Sequence, residues 1–373
     1  MSRFFRYKIK QDDGPSSSLT GLRIDHDHFD FRTLGNQIRE HTHLNLLRVD
    51  LLPDEHLPDA YFFECLKCNH SIRELVLRGD SCEGLGYKEF LNAFAEKHNS
   101  LTKLSVVCCD RGFGGLTAFT STIQRFTKLE CIDVRFSHFG ENRSFLGQFV
   151  TAVRDLRQVE KLNMAFNRIR RDSCDALATL LQDPNSTLRG LHLGDNNIDD
   201  VGIAVLANSL AKNTQLESLN LENNRMITRT GLNSFLQVIC NTSSIHATYF
   251  SNHVLKNLGV CFRVLSNDMV CNMTLNNNAN KKDVAMKKIQ WKHQHFDMEP
   301  FFRWNMKMLP VVVGWFNRAK CLGRHNEANT ISAIYQFIHA MPEIFEPTPL
   351  NIKGEKNNGK TPFKGKRRRS CSS

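Results

Sequence analysis

The sequence predicts an α/β fold: a right-handed β-α superhelix, a solenoid curved into a horseshoe and closed at its C-terminal end by a helical cap. Three observations predict it. An apolar hexad, Leu-x-x-Leu-x-Leu with Ile or Val allowed, recurs at nearly constant spacing. A polar position follows most hexads at a fixed offset, and an apolar four-residue periodicity follows that. Each unit therefore reads as a short strand and a helix. Neither can bury its apolar face alone, so neighbouring units must stack.

The hexads begin at Leu19, Leu44, Ile72, Leu101, Leu129, Val159, Leu188 and Leu216, with a degenerate copy at Ile245 running through Thr248 to Phe250. Eight residues after the start, where the chain leaves the strand and backbone groups need polar partners, stand Asn167, Asn196 and Asn224, with Asp27, Asp80 and Cys109 in other units. Further on, Gly86, Gly115, Gly202 and Gly231 open helices. The pairs Phe90/Phe94, Phe119/Ile123, Leu206/Leu210 and Phe235/Ile239 put two apolar side chains on one helix face.

The period fades after Leu265, and the chain divides accordingly. Residues 1–18 form an N-terminal segment, 19–275 a solenoid of about nine repeats, 276–350 a helical cap and 351–373 a disordered basic tail. Within the cap, Lys281–His295 reads as a basic amphipathic helix, and Met306–Ala319 and Asn329–Met341 as two more. Trp291, Trp304 and Trp315 all lie there, and Leu309–Phe316 is too apolar for a free tail. An open solenoid end exposes core leucines and needs such a cover. The alternative is a separate docking module anchored by the tryptophans.

Composition narrows the function. The 373 residues are 41% hydrophobic and 23% charged, which excludes wholesale disorder. Lys and Arg number 49 against 38 for Asp and Glu, a formal charge of +11. Residues 1–275 nonetheless hold 31 of each sign; residues 276–350 hold 10 basic and 6 acidic, and 351–373 hold 8 and 1. The solenoid is neutral, so nucleic acid is expected only at the basic tail. No apolar run is long enough for a membrane span. Met1–Gln11 is basic but runs into Asp12, Asp13 and Gly14, which does not suit a secretory signal. Twelve scattered cysteines in a chain with a large core suggest reduced thiols and an intracellular protein, cytoplasmic and/or nuclear.

The stretch Leu188-Arg-Gly-Leu-His-Leu-Gly-Asp-Asn-Asn-Ile198, followed by Gly202 and Leu206-Ala207, resembles the ribonuclease-inhibitor-like class of leucine-rich repeat proteins. The resemblance covers about residues 19–260 and implies parallel strands on the concave side with helices on the convex side. The segments Asn280–Ala285, His295–Pro310 and Ala333–Phe337 are similar to the C-terminal extension of a diatom leucine-rich repeat family. That similarity implies an interaction protein and carries no catalytic residues.

Extended concave surfaces are what such folds use to bind. In the register above, the central outward row reads Arg23, Arg48, Val76, Ser105, Asp133, Asn163, His192, Asn220 and Tyr249. Flanking rows add Asp50, Glu74, Arg78, Lys103, Arg135, Lys161 and Glu222. Mixed charge suits a protein partner better than a phosphate backbone; the bland alternative is a solvated face. The leading expectation is thus a non-enzymatic scaffold that binds a protein on its concave face, with no cofactor. Because Ran GTPase-activating proteins share the repeat class, the resemblance also admits a small-GTPase regulator using Arg23, Arg48 or Arg78.

Other motifs weigh less. Cys65-x-x-Cys68 with His70 has no second ligand pair at metal-site spacing, and no metal is expected. His26-Asp27-His28 sits on the turn row, and Cys108 and Cys109 read as core and turn residues. No catalytic fingerprint is present. In the tail, Lys364, Lys366, Arg367, Arg368 and Arg369 resemble a nuclear-import signal, and Ser370 follows them as a candidate for a basophilic kinase.

Overall fold

The computed structural model describes residues 21–24, 30–51, 59–79, 90–95, 100–107, 119–260 and 265–293. Eight strands run in chain order: β1 (Gly21–Ile24), β2 (Leu46–Leu51), β3 (Glu74–Gly79), β4 (Lys103–Val107), β5 (Cys131–Asp133), β6 (Lys161–Asn163), β7 (Gly190–His192) and β8 (Ser218–Asn220). They form one parallel sheet whose spatial order is the sequence order. Helices α1 (Phe31–Glu40), α2 (Ala60–Cys68), α3 (Arg143–Asp155), α4 (Arg171–Gln182) and α5 (Asp200–Ser209) lie between successive strands, α6 (Arg229–Ile239) follows β8, and residues 90–95 and 119–123 are also helical. The result is the α/β solenoid expected. A parallel strand needs a crossover to reach its neighbour, and the helix supplies it.

The core is built from the hexads. Leu44, Leu47, Ile72, Leu75, Leu101, Leu104, Leu129, Ile132, Leu188, Leu191, Leu216 and Leu219 are all buried, together with the helix pairs Phe90/Phe94, Phe119/Ile123, Leu206/Leu210 and Phe235/Ile239. Gly202 has a packing reason: a Cβ there would lie 2.8 Å from the Cys174 thiol of the preceding helix.

The turn row forms a ladder. Asn196 donates through Nδ2 to the carbonyls of Met164, Leu193 and Gly194, and its Oδ1 accepts from the backbone N–H groups of Asn167 and Ile169. Asn167 bonds in the same way to Val134 and Ala165, and its Oδ1 accepts from Ser137 and Phe139. Asn224 serves the carbonyls of Leu193 and Leu221 and accepts from Ile198 N–H. All three are buried.

Two expectations are corrected. The degenerate hexad at Ile245 is not a strand: Ile245–Tyr249 is a short helix, α7. The ninth rung comes from residues further on, because Leu219 N–H donates to Asn257 O and Leu221 N–H to Leu258 O, each at 2.9 Å. The hexad there is Leu255-Lys-Asn-Leu258-Gly-Val260, with Leu255 and Leu258 fully buried. Helix α8 (Asn267–Leu275) follows it at the offset of a repeat helix. The second correction concerns the basic amphipathic helix. Residues Lys281–Lys292 do form a helix, α9, but Val284, Ala285, Ile289 and also Lys288 are buried in it. The charged face is therefore not wholly a solvated one.

The chain divides into two compact units, Met1–Phe296 and Asp297–Ser373. The expected helices at 306–319 and 329–341, Trp304, Trp315 and the basic tail lie outside the described residues, as do residues 1–18. Among the described residues, no helix is long and apolar enough to cross a membrane.

Candidate functional site

The backbone register links the residues of the expected outward row from one strand to the next, as far as Asn220. Register pairs run Arg23 to Arg48, Arg48 to Val76, Val76 to Ser105, Ser105 to Asp133, Asp133 to Asn163, Asn163 to His192 and His192 to Asn220. Tyr249 does not belong to it, since it lies in α7; the equivalent of Asn220 one rung on is Gly259. Gly259 has φ +66°, and a Cβ there would collide with the Asn220 side chain. The row thus ends where a side chain is sterically excluded.

Among the flanking residues, Glu74 and Lys103 are register partners on β3 and β4, with an ion pair at 3.6 Å. Asp50 and Arg78 are register partners on β2 and β3, and Arg78 Nε is buried without a hydrogen-bond partner among the described residues. Arg48 is half-buried, while Lys161 and Glu222 are exposed. The tightest pair is Arg135 with Asp133. Its Nε donates to both carboxylate oxygens at 3.0 and 3.1 Å, and a terminal nitrogen lies 2.9 Å from Oδ2.

One hydrogen bond repeats along the row. Asn163 Oδ1 accepts from Ala165 N–H at 3.1 Å, and Asn220 Oδ1 from Glu222 N–H at 2.8 Å. His192 Nδ1 accepts from Gly194 N–H at 3.4 Å, and Asp133 Oδ1 from Arg135 N–H at 3.3 Å. Each side chain spends an acceptor on the backbone two residues ahead, a common local geometry for Asx residues. What remains on Asn163, His192 and Asn220 is a donor: two amide Nδ2 groups and, by the tautomer this bond selects, the imidazole Nε2–H. Strand spacing sets them about 4.8 Å apart. Burial foremost, and then the Arg135 guanidinium, hold the His192 pKa below its ordinary value, so the ring is a neutral donor at pH 7. Asp133, Asp195 and Glu222 act on it in the opposite sense.

The Cys65/Cys68 pair does not belong to this row. Cys65 and Cys68 both lie on α2, on the helix side of the sheet, with Cys65 buried against Gly35 of α1 and Cys68 exposed. Among the described residues, no three His, Cys, Asp or Glu side chains converge as metal ligands would. His26-Asp27-His28, Cys108, Cys109, Lys364, Lys366, Arg367, Arg368, Arg369 and Ser370 lie outside the described residues. Outward placement in the row was legible from the hexad; the spent acceptors were not, because that bond depends on the backbone turn after each strand.

In sequence, residues 185–207 match the family described as Leucine Rich repeat. The ribonuclease inhibitor of Sus scrofa is 28% identical over 174 residues, 46% of this chain and 37% of the inhibitor. The ribonuclease inhibitor of Mus musculus is 23% identical, covering 52% of this chain and 42% of its own. The NACHT, LRR and PYD domains-containing protein 14 of Mus musculus is 25% identical, with 49% and 18% covered. The chain thus spans less than half the length of these curated relatives. Among solved structures, the leucine-rich repeat-containing protein LegL7 from Legionella pneumophila superimposes with a TM-score of 0.47 at 14% identity, over 73% of this chain and 98% of that one. With one register kept through the sheet, and with the family match falling on the repeat that holds His192 and Asn196, the repeat region of this chain is similar to the ribonuclease-inhibitor-like leucine-rich repeat proteins.

Proposed function

We propose that this protein is a non-enzymatic, intracellular scaffold that binds a protein partner on the outward face of β5 to β8. The observation that carries the reading is the donor row of Asn163, His192 and Asn220, fixed by turn bonds and flanked by the Asp133–Arg135 pair. Donors whose own acceptors are already used are pre-set to meet carbonyl oxygens, which every peptide segment offers. Preorganisation of this kind lowers the ordering cost of association. The fold class generally presents such surfaces to proteins, and two matched relatives are by name inhibitors of another protein. The intracellular assignment draws on the thiols: Cys65, Cys68, Cys131, Cys174, Cys240 and Cys271 are all free.

The test changes the donors and keeps the turns. In N163D/N220D each side chain retains the oxygen that accepts the backbone N–H but presents an acceptor outward. A partner retained by the wild-type chain in affinity capture from native cells should be lost, with the melting transition unchanged. Equal capture by wild type and variant would remove the donor row from the binding surface.

A further inference from the structure

Three residues beyond the central row, at one repeat position, stand Phe136, Phe166, Asp195 and Asn223, and all four have left-handed backbone, with φ of 59°, 57°, 53° and 59°. Asp and Asn tolerate that region because a short polar side chain can bond locally; a bulky residue there is uncommon. Phe136 and Phe166 are also 37% and 38% exposed, whereas Phe139 and Phe149 nearby are fully buried. Their rings stack, with centroids 4.2 Å apart and planes 12° from parallel. Two strained, exposed aromatics supported by each other mark a surface rather than a core, since backbone strain of this kind gathers at functional sites.

The strip continues onto a carboxylate. Phe136 N–H donates to Ala165 O, Phe166 N–H to Gly194 O and Asp195 N–H to Glu222 O, so successive members stand one rung apart. Asp195 therefore holds, beside Phe166, the place that Phe166 holds beside Phe136, about 4.8 Å further along. Asn223 Nδ2 donates to Asp195 Oδ1 at 3.0 Å, which fixes the carboxylate. Its Oδ2 has no partner among the described residues.

An aromatic face with a carboxylate one rung away suits a guanidinium, which stacks flat on the ring and donates from its edge. A compact ammonium gains the charge but not the stacking. A nucleic-acid base could stack, yet its phosphates would meet Asp195 and Glu222. An apolar anchor would leave Asp195 unused. We propose that the Phe136–Phe166–Asp195 strip is a docking site for an arginine in a basic segment of a protein partner. The strip lies beside the donor row and does not depend on it.

Fluorescence anisotropy with the full chain and labelled hexa-arginine, hexa-lysine and oligo-dT, at matched ionic strength, tests this. Wild type should prefer hexa-arginine over hexa-lysine by about threefold or more. F136N/F166N, whose asparagines suit the left-handed backbone, should erase the preference without shifting the melting transition. D195N should weaken both cationic peptides, and H192A should leave them unchanged, which separates this strip from the donor row. Equal affinity of wild type for the two peptides, a preference that survives F136N/F166N, or tighter binding of oligo-dT overturns the proposal. Peptide binding seen only after removal of residues 351–373 also overturns it, because the chain's own arginine run would then be the occupant.

Discussion

Asn196 serves two N–H groups and three carbonyls while buried, so its side chain replaces water for a whole turn. Alanine there would strand several of these groups, and each buried unsatisfied polar group costs about 1–3 kcal/mol. N196A should lower unfolding stability by roughly 2–4 kcal/mol on that scale, read from urea unfolding. N196D should be nearly as harmful, because a carboxylate cannot donate to the three carbonyls. The identity of this row was legible, since asparagine returns eight residues after each of three hexad starts. The conformations of Phe136 and Phe166 were not. Their backbone is set by the turn that the next repeat's asparagine closes, and nothing in a phenylalanine announces it.

At the scale of elements, α9 shows how one helix is fastened to the last full repeats. Lys288 is 0% exposed, and its Nζ donates to Ile239 O at 2.6 Å, to Asn252 O at 3.4 Å and to His253 Nδ1 at 3.2 Å. Ile239 is the last residue of α6, and a helix C-terminus favours a cation. His253 keeps its proton on Nε2, donating to Tyr249 O. Burial, with Lys288 next, pushes His253 down to about 4, and burial pushes Lys288 down to about 7. Around them, the Cys240 thiol is pushed up by burial, Lys292 pairs with Asp268, and His293 bonds Thr248. Both bases bind protons less readily folded than unfolded, so stability must rise with pH across their windows. For His253 the loss comes as pH falls from about 6.5 towards 4; for Lys288, stability gains as pH rises from about 7 towards 10.5. Amide protection in α9, corrected for intrinsic exchange, should therefore drop from pH 7 to pH 4, and H253Q should flatten that limb. An acid slope unchanged in H253Q would assign it to other groups. The existence of α9 was legible, but its lysine was not, because periodicity assigns charge to the solvent face and only packing reveals an exception.

At the scale of the whole molecule, α9 packs against α7 and α8, beyond the last full repeat. Burial of Val284, Ala285 and Ile289 contributes roughly 4 kcal/mol at the usual values for apolar side chains. A chain ending at Leu275 should melt lower and associate, as seen by scanning fluorimetry and size-exclusion chromatography. Removal of residues 351–373 alone should leave the melting transition in place; a stable, monomeric 1–275 chain would show that the solenoid needs no cover. The repeat, the strand register, the outward row through Asn220 and the asparagine ladder are all determined by the sequence alone. They follow from a local period: alternation within a hexad and a fixed offset to the turn decide which way each side chain points. Only the tertiary structure decided that Leu255–Val260, not Ile245–Phe250, supplies the ninth rung. It also decided that the row's acceptors are spent, that Lys288 is buried and that two phenylalanines stand exposed. Each of these depends on which distant segment comes to pair or pack, and that long-range choice leaves no period in the chain.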